Sequence, residues 1–305
     1  MRIIFMGTPD FAVASLEALI QSGEQVVAVV TVPDKPAGRG QKIHESPVKL
    51  YALQHRIPVL QPVKLRDEAF LAQLRSFEAD LQIVVAFRML PEVVWNMPKF
   101  GTVNVHASLL PQYRGAAPIN HAIMNGEKES GVTTFLLQHE IDTGNVLLSK
   151  KVAIQQTDTA GDLHDKLMVA GAETLLETIR QLKAGTLLPR RQDEMASPSP
   201  LKHAPKIFKE DCKINWNQPT NVVYNFIRGL SPYPAAFTLL NDKVLKIYTT
   251  EKEHIVTADA PGTIHTDRKS YLKFATQDGY ILVSELQLEG KKKMNITDFL
   301  KGYRF

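Results

Sequence analysis

The sequence predicts an α/β fold, a doubly wound and mostly parallel sheet, followed by a small β-barrel. Three observations carry that expectation. Apolar runs of strand length alternate with helix-period segments through the first part of the chain, the pattern of βαβ units. A proline-rich stretch then interrupts the periodicity, and short strands separated by turn residues follow it. A chain of 305 residues is also longer than one hydrophobic core usually grows, so two domains are expected.

Residues 2–6 form an apolar run stopped by Gly7-Thr8-Pro9-Asp10. Residues 11–22 then show helical spacing at Phe11, Ala14 and Ala18, with Thr8 or Asp10 expected to cap that helix through a side-chain oxygen. Further strands are expected over 25–31, 58–61, 80–87 and 102–106, with helices over 47–56 and 67–76 and a polar loop over 33–47. Residues 131–137 and 145–154 read as a strand pair around Asp142-Thr143-Gly144-Asn145, followed by a long helix over 159–184. Prolines 189, 198, 200 and 205 mark 185–206 as a linker. Beyond it come a helix over 220–230 and strands over 244–248, 262–266, 271–275 and 280–288. The expected division is 1–184, a linker over 185–206, and 207–305.

Hydrophobic residues make up 44% of the chain and charged residues 22%, a balance that argues against disorder or a fibre. Cys212 is the single cysteine, so neither an internal disulfide framework nor a multi-cysteine zinc site is open to the chain. No stretch approaches the ~20 apolar residues of a membrane span, and the opening strand is too short for a signal peptide. A soluble cytoplasmic protein is expected. Residues 201–305 hold 16 Lys+Arg against 11 Asp+Glu, whereas residues 1–200 hold 20 against 21. That asymmetry fits a polyanion partner for the second half, or simply a soluble basic surface.

Ligands of open α/β sheets bind beyond the carboxyl ends of the strands. There, Val103-Asn104-Val105-His106 puts an amide and an imidazole on one face of a strand and two valines on the other. Two readings stand: a site, or a polar strand face that is merely solvated. Asp142, followed by Thr143-Gly144, is first a turn signal. Taken together, Asn104, His106 and Asp142 supply an amide donor, a base and a carboxylate, a set suited to attack of an amine on an acyl-like carbon. Competing chemistries lack their motifs. There is no G-x-S-x-G elbow and no phosphate loop, Gly7 is not followed by the other glycines of a dinucleotide fingerprint, and His139-Glu140 lacks the H-E-x-x-H spacing. Cys212 reads as an ordinary structural residue.

The stretch Asn104-Val105-His106-Ala107-Ser108-Leu109-Leu110-Pro111-Gln112-Tyr113-Arg114-Gly115, with Asp142-Thr143-Gly144 after it, resembles the signature of the folate-dependent formyltransferases. The resemblance implies a Rossmann-like catalytic domain with catalytic Asn104, His106 and Asp142, and an OB-like second domain. It also implies folate contacts at Ser108, Leu109, Leu110 and Pro111, 10-formyltetrahydrofolate as the formyl donor, and no metal. The segment Phe87-Arg88-Met89-Leu90-Pro91 is similar to one in glycinamide ribonucleotide formyltransferases, which implies a folate pocket lined by Arg88, Met89 and Leu90.

The opening Arg2-Ile3-Ile4-Phe5-Met6-Gly7-Thr8-Pro9-Asp10-Phe11-Ala12 and the loop Pro33-Asp34-Lys35-Pro36-Ala37-Gly38-Arg39-Gly40-Gln41-Lys42 resemble members of that family that formylate the methionine on initiator tRNA. Charged initiator tRNA is thus the implied partner, met by Lys35, Arg39 and Lys42 of the loop and by Lys206 and Lys209 of the second domain, with the chain a monomer. Lys and Arg on a glycine-flanked loop can wrap phosphates, although such a loop can also be plainly solvated. The run Lys291-Lys292-Lys293 carries the same pair of readings. Two rivals remain at this point: transfer to a small amine such as a nucleotide sugar, and a non-catalytic tRNA-binding protein.

Overall fold

The computed structural model describes residues 1–37, 42–195, 200–256 and 258–304, without the side chains of Ala37 and Lys42. Along the first part of the chain run β1 (Arg2–Gly7), α1 (Asp10–Gln21), β2 (Gln25–Val30), β3 (Lys35–Ala37), β4 (Lys42–His44), α2 (Pro47–Gln54), β5 (Val59–Leu60), α3 (Glu68–Ser76), β6 (Leu81–Val85), α4 (Glu92–Trp95) and β7 (Thr102–His106). Then come β8 (Arg114–Gly115), α5 (Pro118–Met124), β9 (Glu129–Leu136), β10 (Val146–Ala153), α6 (Ala160–Ala184) and β11 (His203–Ala204). The remainder holds α7 (Thr220–Leu230), β12 (Ala236–Leu240), β13 (Lys243–His254), β14 (Ile264–Thr266), β15 (Leu272–Ala275), β16 (Gly279–Leu288), β17 (Met294–Asn295) and α8 (Ile296–Gly302).

The chain divides into two compact units. One comprises Met1–Gly115, Gly131–Val152 and Asp165–His203; the other comprises Ala116–Ser130, Ala153–His164 and Ala204–Phe305. The first unit is built on a seven-stranded sheet of order β10-β9-β7-β6-β1-β2-β5. Its β5, β2, β1, β6 and β7 are parallel neighbours, and β9 runs antiparallel to β7. From β1 the chain winds outward through β2 to β5, then returns to the other flank of β1 with β6 and β7. That reversal makes the β1/β6 boundary the topological switch point, whose carboxyl ends are the ligand side of such sheets.

All five residues of β6 are buried, as are Ile3, Ile4, Phe5 and Met6 of β1, because a parallel sheet covered on both faces keeps its central strands dry. At the end of β1, Gly7 is demanded by packing: a Cβ there would meet Ala12 Cβ at 2.7 Å and the Val85 carbonyl oxygen at 3.0 Å. The expected cap by Thr8 or Asp10 is not what starts α1. Pro9 occupies the cap position without a side-chain hydrogen bond, and the buried Thr8 hydroxyl has no partner among the described residues. Helices α2 and α3 do start on capping side chains. Ser46 accepts from the Lys49 amide on α2, and Asp67 accepts from the Ala69 and Phe70 amides on α3.

The stretch expected as a polar loop over 33–47 contains the antiparallel pair β3–β4, with Lys35 opposite His44. Its base is anchored by Asp34, which binds the Lys49 ammonium and accepts from Gln61 Nε2 at 2.8 Å. Those two hydrogen bonds hold the Asp34 carboxyl below its ordinary pKa.

The second unit is an antiparallel half-barrel of order β12-β13-β16-β15-β14, with β17 on β16. Ile227 of α7 and Leu245, Phe274, Ile281 and Leu286 of the sheet form its dry centre, where Trp216 stacks on Phe274 at 4.4 Å. Cys212 is free and buried in the same cluster, and burial raises its thiol pKa. Strand β12 was not expected, yet its signal is present. Asn241 and Asp242 both take positive φ (48° and 62°), the two-residue turn that closes a tight β12–β13 hairpin.

Candidate active site

Strand β7 presents Asn104 and His106 on one face, as period-two alternation requires. Asn104 is half-buried, and its amide makes no hydrogen bond to the described residues. His106 is only 7% exposed, with its ring edge-on to the buried Phe135 at a centroid distance of 6.4 Å. Its Nε2 lies 3.0 Å from the Tyr113 carbonyl oxygen, and its Nδ1 lies 3.8 Å from Asp142 Oδ2. Each ring nitrogen therefore faces an oxygen acceptor. Such a ring donates at both ends only when it carries both protons.

Asp142 reaches this position from the turn between β9 and β10, with φ of +56°. Its Oδ2 also accepts the Gly115 amide at 2.9 Å. Two residues on, a Cβ at Gly144 would lie 1.6 Å from the Leu136 carbonyl oxygen, so only glycine fits the path that returns the chain to β10. The fold thus brings to one corner three residues that the sequence singles out, together with a fourth that it does not mark. Gln192, 4% exposed in a 3-10 turn over Gln192–Glu194, donates to the carbonyl oxygens of Asp142 and Gly144, each at 2.8 Å. A glutamine in a stretch read as linker carries no local signal, because its partners are about fifty residues away in sequence.

The segment after β7 is engaged in its own architecture. Ser108 is fully buried and its hydroxyl donates to the Gln112 carbonyl at 2.6 Å. Thr133 Oγ1 donates to the Ser108 carbonyl at 2.7 Å and accepts the Leu110 amide at 3.1 Å. Leu110 packs with Phe135 and Val146, and Pro111 is buried. Leu109 is half-buried beside Gly131, where a Cβ would lie 2.5 Å from its Cδ2.

Arg88, Met89 and Leu90 go three ways. Arg88 donates to the Pro62 and Val63 carbonyls, stacks its guanidinium 5.6 Å from the Phe87 ring centroid, and has its pKa lowered by burial. Met89 is 73% exposed, and Leu90 enters the apolar core around Ile4, Leu71 and Val94.

Of the residues expected to meet tRNA, Lys35 is exposed on β3 in the first unit. Lys42 lies on β4 with its side chain outside the described residues, as does the whole of Arg39. Lys206 and Lys209 are exposed in the second unit, where the Lys206 ammonium sits 5.3 Å from the Phe208 ring centroid. In the lysine run, Lys293 pairs with Glu285 at 2.9 Å, while Lys291 and Lys292 are exposed. Among the described residues no group of three His, Cys, Asp or Glu is placed to hold a metal ion, and no helix is long and apolar enough to cross a membrane.

Residues 1–179 match the formyl transferase profile, and residues 206–304 match that of the formyl transferase C-terminal domain. The chain is 55% identical over 309 residues to the methionyl-tRNA formyltransferase of Bacteroides thetaiotaomicron, covering 100% of this chain and 96% of that protein. Among solved structures, HypX from Aquifex aeolicus in complex with tetrahydrofolic acid superposes with a TM-score of 0.67 at 20% identity, covering 99% of this chain and 48% of HypX. A Helicobacter canadensis N-formyltransferase in complex with folinic acid and dTDP-3-aminofucose gives 0.66 at 21% identity, covering 96% of this chain and 99% of that one.

Proposed function

The chain belongs to the formyl transferase family, and we propose Asn104, His106 and Asp142 as the groups that carry its chemistry. It transfers the formyl group of 10-formyltetrahydrofolate to the α-amino group of methionine on charged initiator tRNA, and so supports translation initiation. The observation that most supports the site is the meeting of His106 Nδ1 and Asp142 Oδ2 at 3.8 Å, beside an Asn104 amide with no hydrogen-bond partner among the described residues.

The amine nitrogen attacks the formyl carbon, and the carbonyl electron pair moves onto oxygen. The Asn104 amide donates to that oxyanion, and the protonated His106 ring stabilises its developing charge electrostatically. Preorganised donors of this kind are worth ~10²–10³ in rate each, because they cost no reorganisation as charge develops. The tetrahedral carbon then releases the folate nitrogen, which takes a proton as the C–N bond breaks. The ammonium formed by attack loses its proton in the same sequence, with His106 serving both transfers. The Asp142 carboxylate holds the imidazole in place and offsets its charge while it is cationic.

Domain roles follow from the same reading. Residues 1–184 hold the catalysis, 185–206 link the parts while placing Gln192 against the Asp142 turn, and 207–305 bind tRNA. Lys35, Arg39 and Lys42 meet the acceptor end, and Lys206 and Lys209 meet the backbone, as phosphate contacts that position rather than specify. Ser108–Pro111, Arg88 and Met89 form the folate wall, while Leu90 packs in the core. The enzyme works in the cytoplasm as a monomer.

Transfer of labelled formyl from 10-formyltetrahydrofolate should proceed on charged initiator tRNA, and far more slowly on charged elongator tRNA or on amino-sugar nucleotides. Preference for an amino sugar would overturn the acceptor. Arg39→Ala should lower kcat/KM on charged tRNA while leaving the KM for the folate unchanged; a wild-type kcat/KM would remove Arg39 from the tRNA contacts.

A further inference from the structure

The hydrogen bonds around Asp142 form a closed circuit. The carboxylate accepts from the Gly115 amide at 2.9 Å, and the Asp142 carbonyl accepts from Gln192 Nε2 at 2.8 Å. Gln192 Oε1 in turn accepts from Arg114 Nε at 3.0 Å and from Arg114 Nη2 at 2.7 Å. Arg114 is covalently joined to Gly115, so the path returns to the carboxylate. Asp142 is therefore held at both ends, by its side chain and by its own peptide, in a left-handed conformation that a non-glycine residue rarely adopts unsupported.

The Gln192 amide is saturated. Its second N–H donates to the Gly144 carbonyl at 2.8 Å, so two donors and two lone pairs all have partners. Only one orientation of the amide satisfies this set. Turned over, it would set its NH2 group against a guanidinium and its oxygen against two carbonyls. The side chain is 4% exposed, so losing any partner would leave a buried polar group unmet.

Three consecutive residues tie this circuit to the imidazole. The Tyr113 carbonyl lies 3.0 Å from His106 Nε2, the Arg114 guanidinium holds Gln192, and the Gly115 amide holds Asp142. One short piece of backbone thus sets both members of the His106–Asp142 pair. We infer that Gln192 and Arg114 are positioning residues for formyl transfer, fixing the Asp142 carboxylate against His106. The inference rests on the reading of Asp142 as a catalytic group.

The test is a double-mutant cycle in steady-state formyl transfer to charged initiator tRNA, with melting temperatures recorded for every variant. Gln192→Ala should lower kcat about ten- to a hundredfold, since small displacements of a reacting group cost rate on that scale. KM for the folate and for tRNA should stay within about twofold. Asp142→Asn should be slower still. The double variant should then be no slower than Asp142→Asn alone, because Gln192 acts through Asp142. Independent, multiplying losses overturn the inference, as does an unchanged kcat in Gln192→Ala. If Gln192→Ala does not fold, Arg114→Lys decides. It keeps the charge but loses the paired N–H donors, and should lower kcat several-fold at constant KM; an unchanged kcat again overturns the inference. A wild-type kcat in Asp142→Asn sinks the underlying site reading instead, so the two failures are distinguishable.

Discussion

Two neighbouring strand ends behave differently. On β7, Asn104 and His106 are two positions apart and share a face, so one end of a rigid strand delivers both to the same corner. Past the end of β6, Ala86 takes φ of +48° and the chain leaves the sheet. There, three consecutive residues expected to line one wall separate: Arg88 to the Pro62 and Val63 carbonyls, Met89 to solvent, Leu90 to the core. A strand enforces a period that sequence spacing reveals. A loop has no period, so adjacency in sequence says little about a shared surface.

Breaking the β7 corner should give the largest effect. Asn104→Ala and His106→Ala should each lower kcat by ~10²–10⁴ in formyl transfer to charged initiator tRNA, with far-UV circular dichroism unchanged. Full activity in either would remove that residue from the chemistry.

The β6 end should respond in stability before it responds in rate. Leu90→Ala deletes a side chain that is 7% exposed in the core with Leu71 and Val94, and should cost ~2–4 kcal/mol in denaturant unfolding. A loss under ~1 kcal/mol would mean that Leu90 is not core, and would return it to the pocket wall. Arg88→Ala should be milder, about 1–2 kcal/mol, because it surrenders hydrogen bonds to two carbonyls at a half-buried site. If Arg88 holds the Pro62–Val63 segment as part of the folate wall, KM for 10-formyltetrahydrofolate should rise while KM for tRNA does not. An unchanged folate KM would confine Arg88 to stability.

The same contrast explains what was legible. The central strands and helix α7 were readable because burial imposes periodicity on their residues. That Asn104 and His106 share a face was readable because the strand carries them, whereas Asp142 by itself reads as a turn residue and joins them through the family resemblance. The β3–β4 pair was hidden in a polar stretch, and β12 in a segment that begins just after a run of prolines. Gln192 was hidden most thoroughly, because nothing near it in sequence marks it. Its role exists only once Arg114 and Asp142 are adjacent in space.

Met89 offers the finest test of the comparison. At 73% exposure its side chain adds little to the core, so Met89→Ala should move stability by no more than ~0.5 kcal/mol. A flexible thioether beside the half-buried Phe87 is nonetheless suited to covering a flat ring that arrives from solvent. Met89→Ala should therefore raise the folate KM a few-fold at constant kcat and constant melting temperature. Met89→Leu, which keeps the volume, should restore it. If alanine and leucine both match the wild type in folate KM, the exposed side chain meets no substrate, and the wall expected at this strand end reduces to backbone.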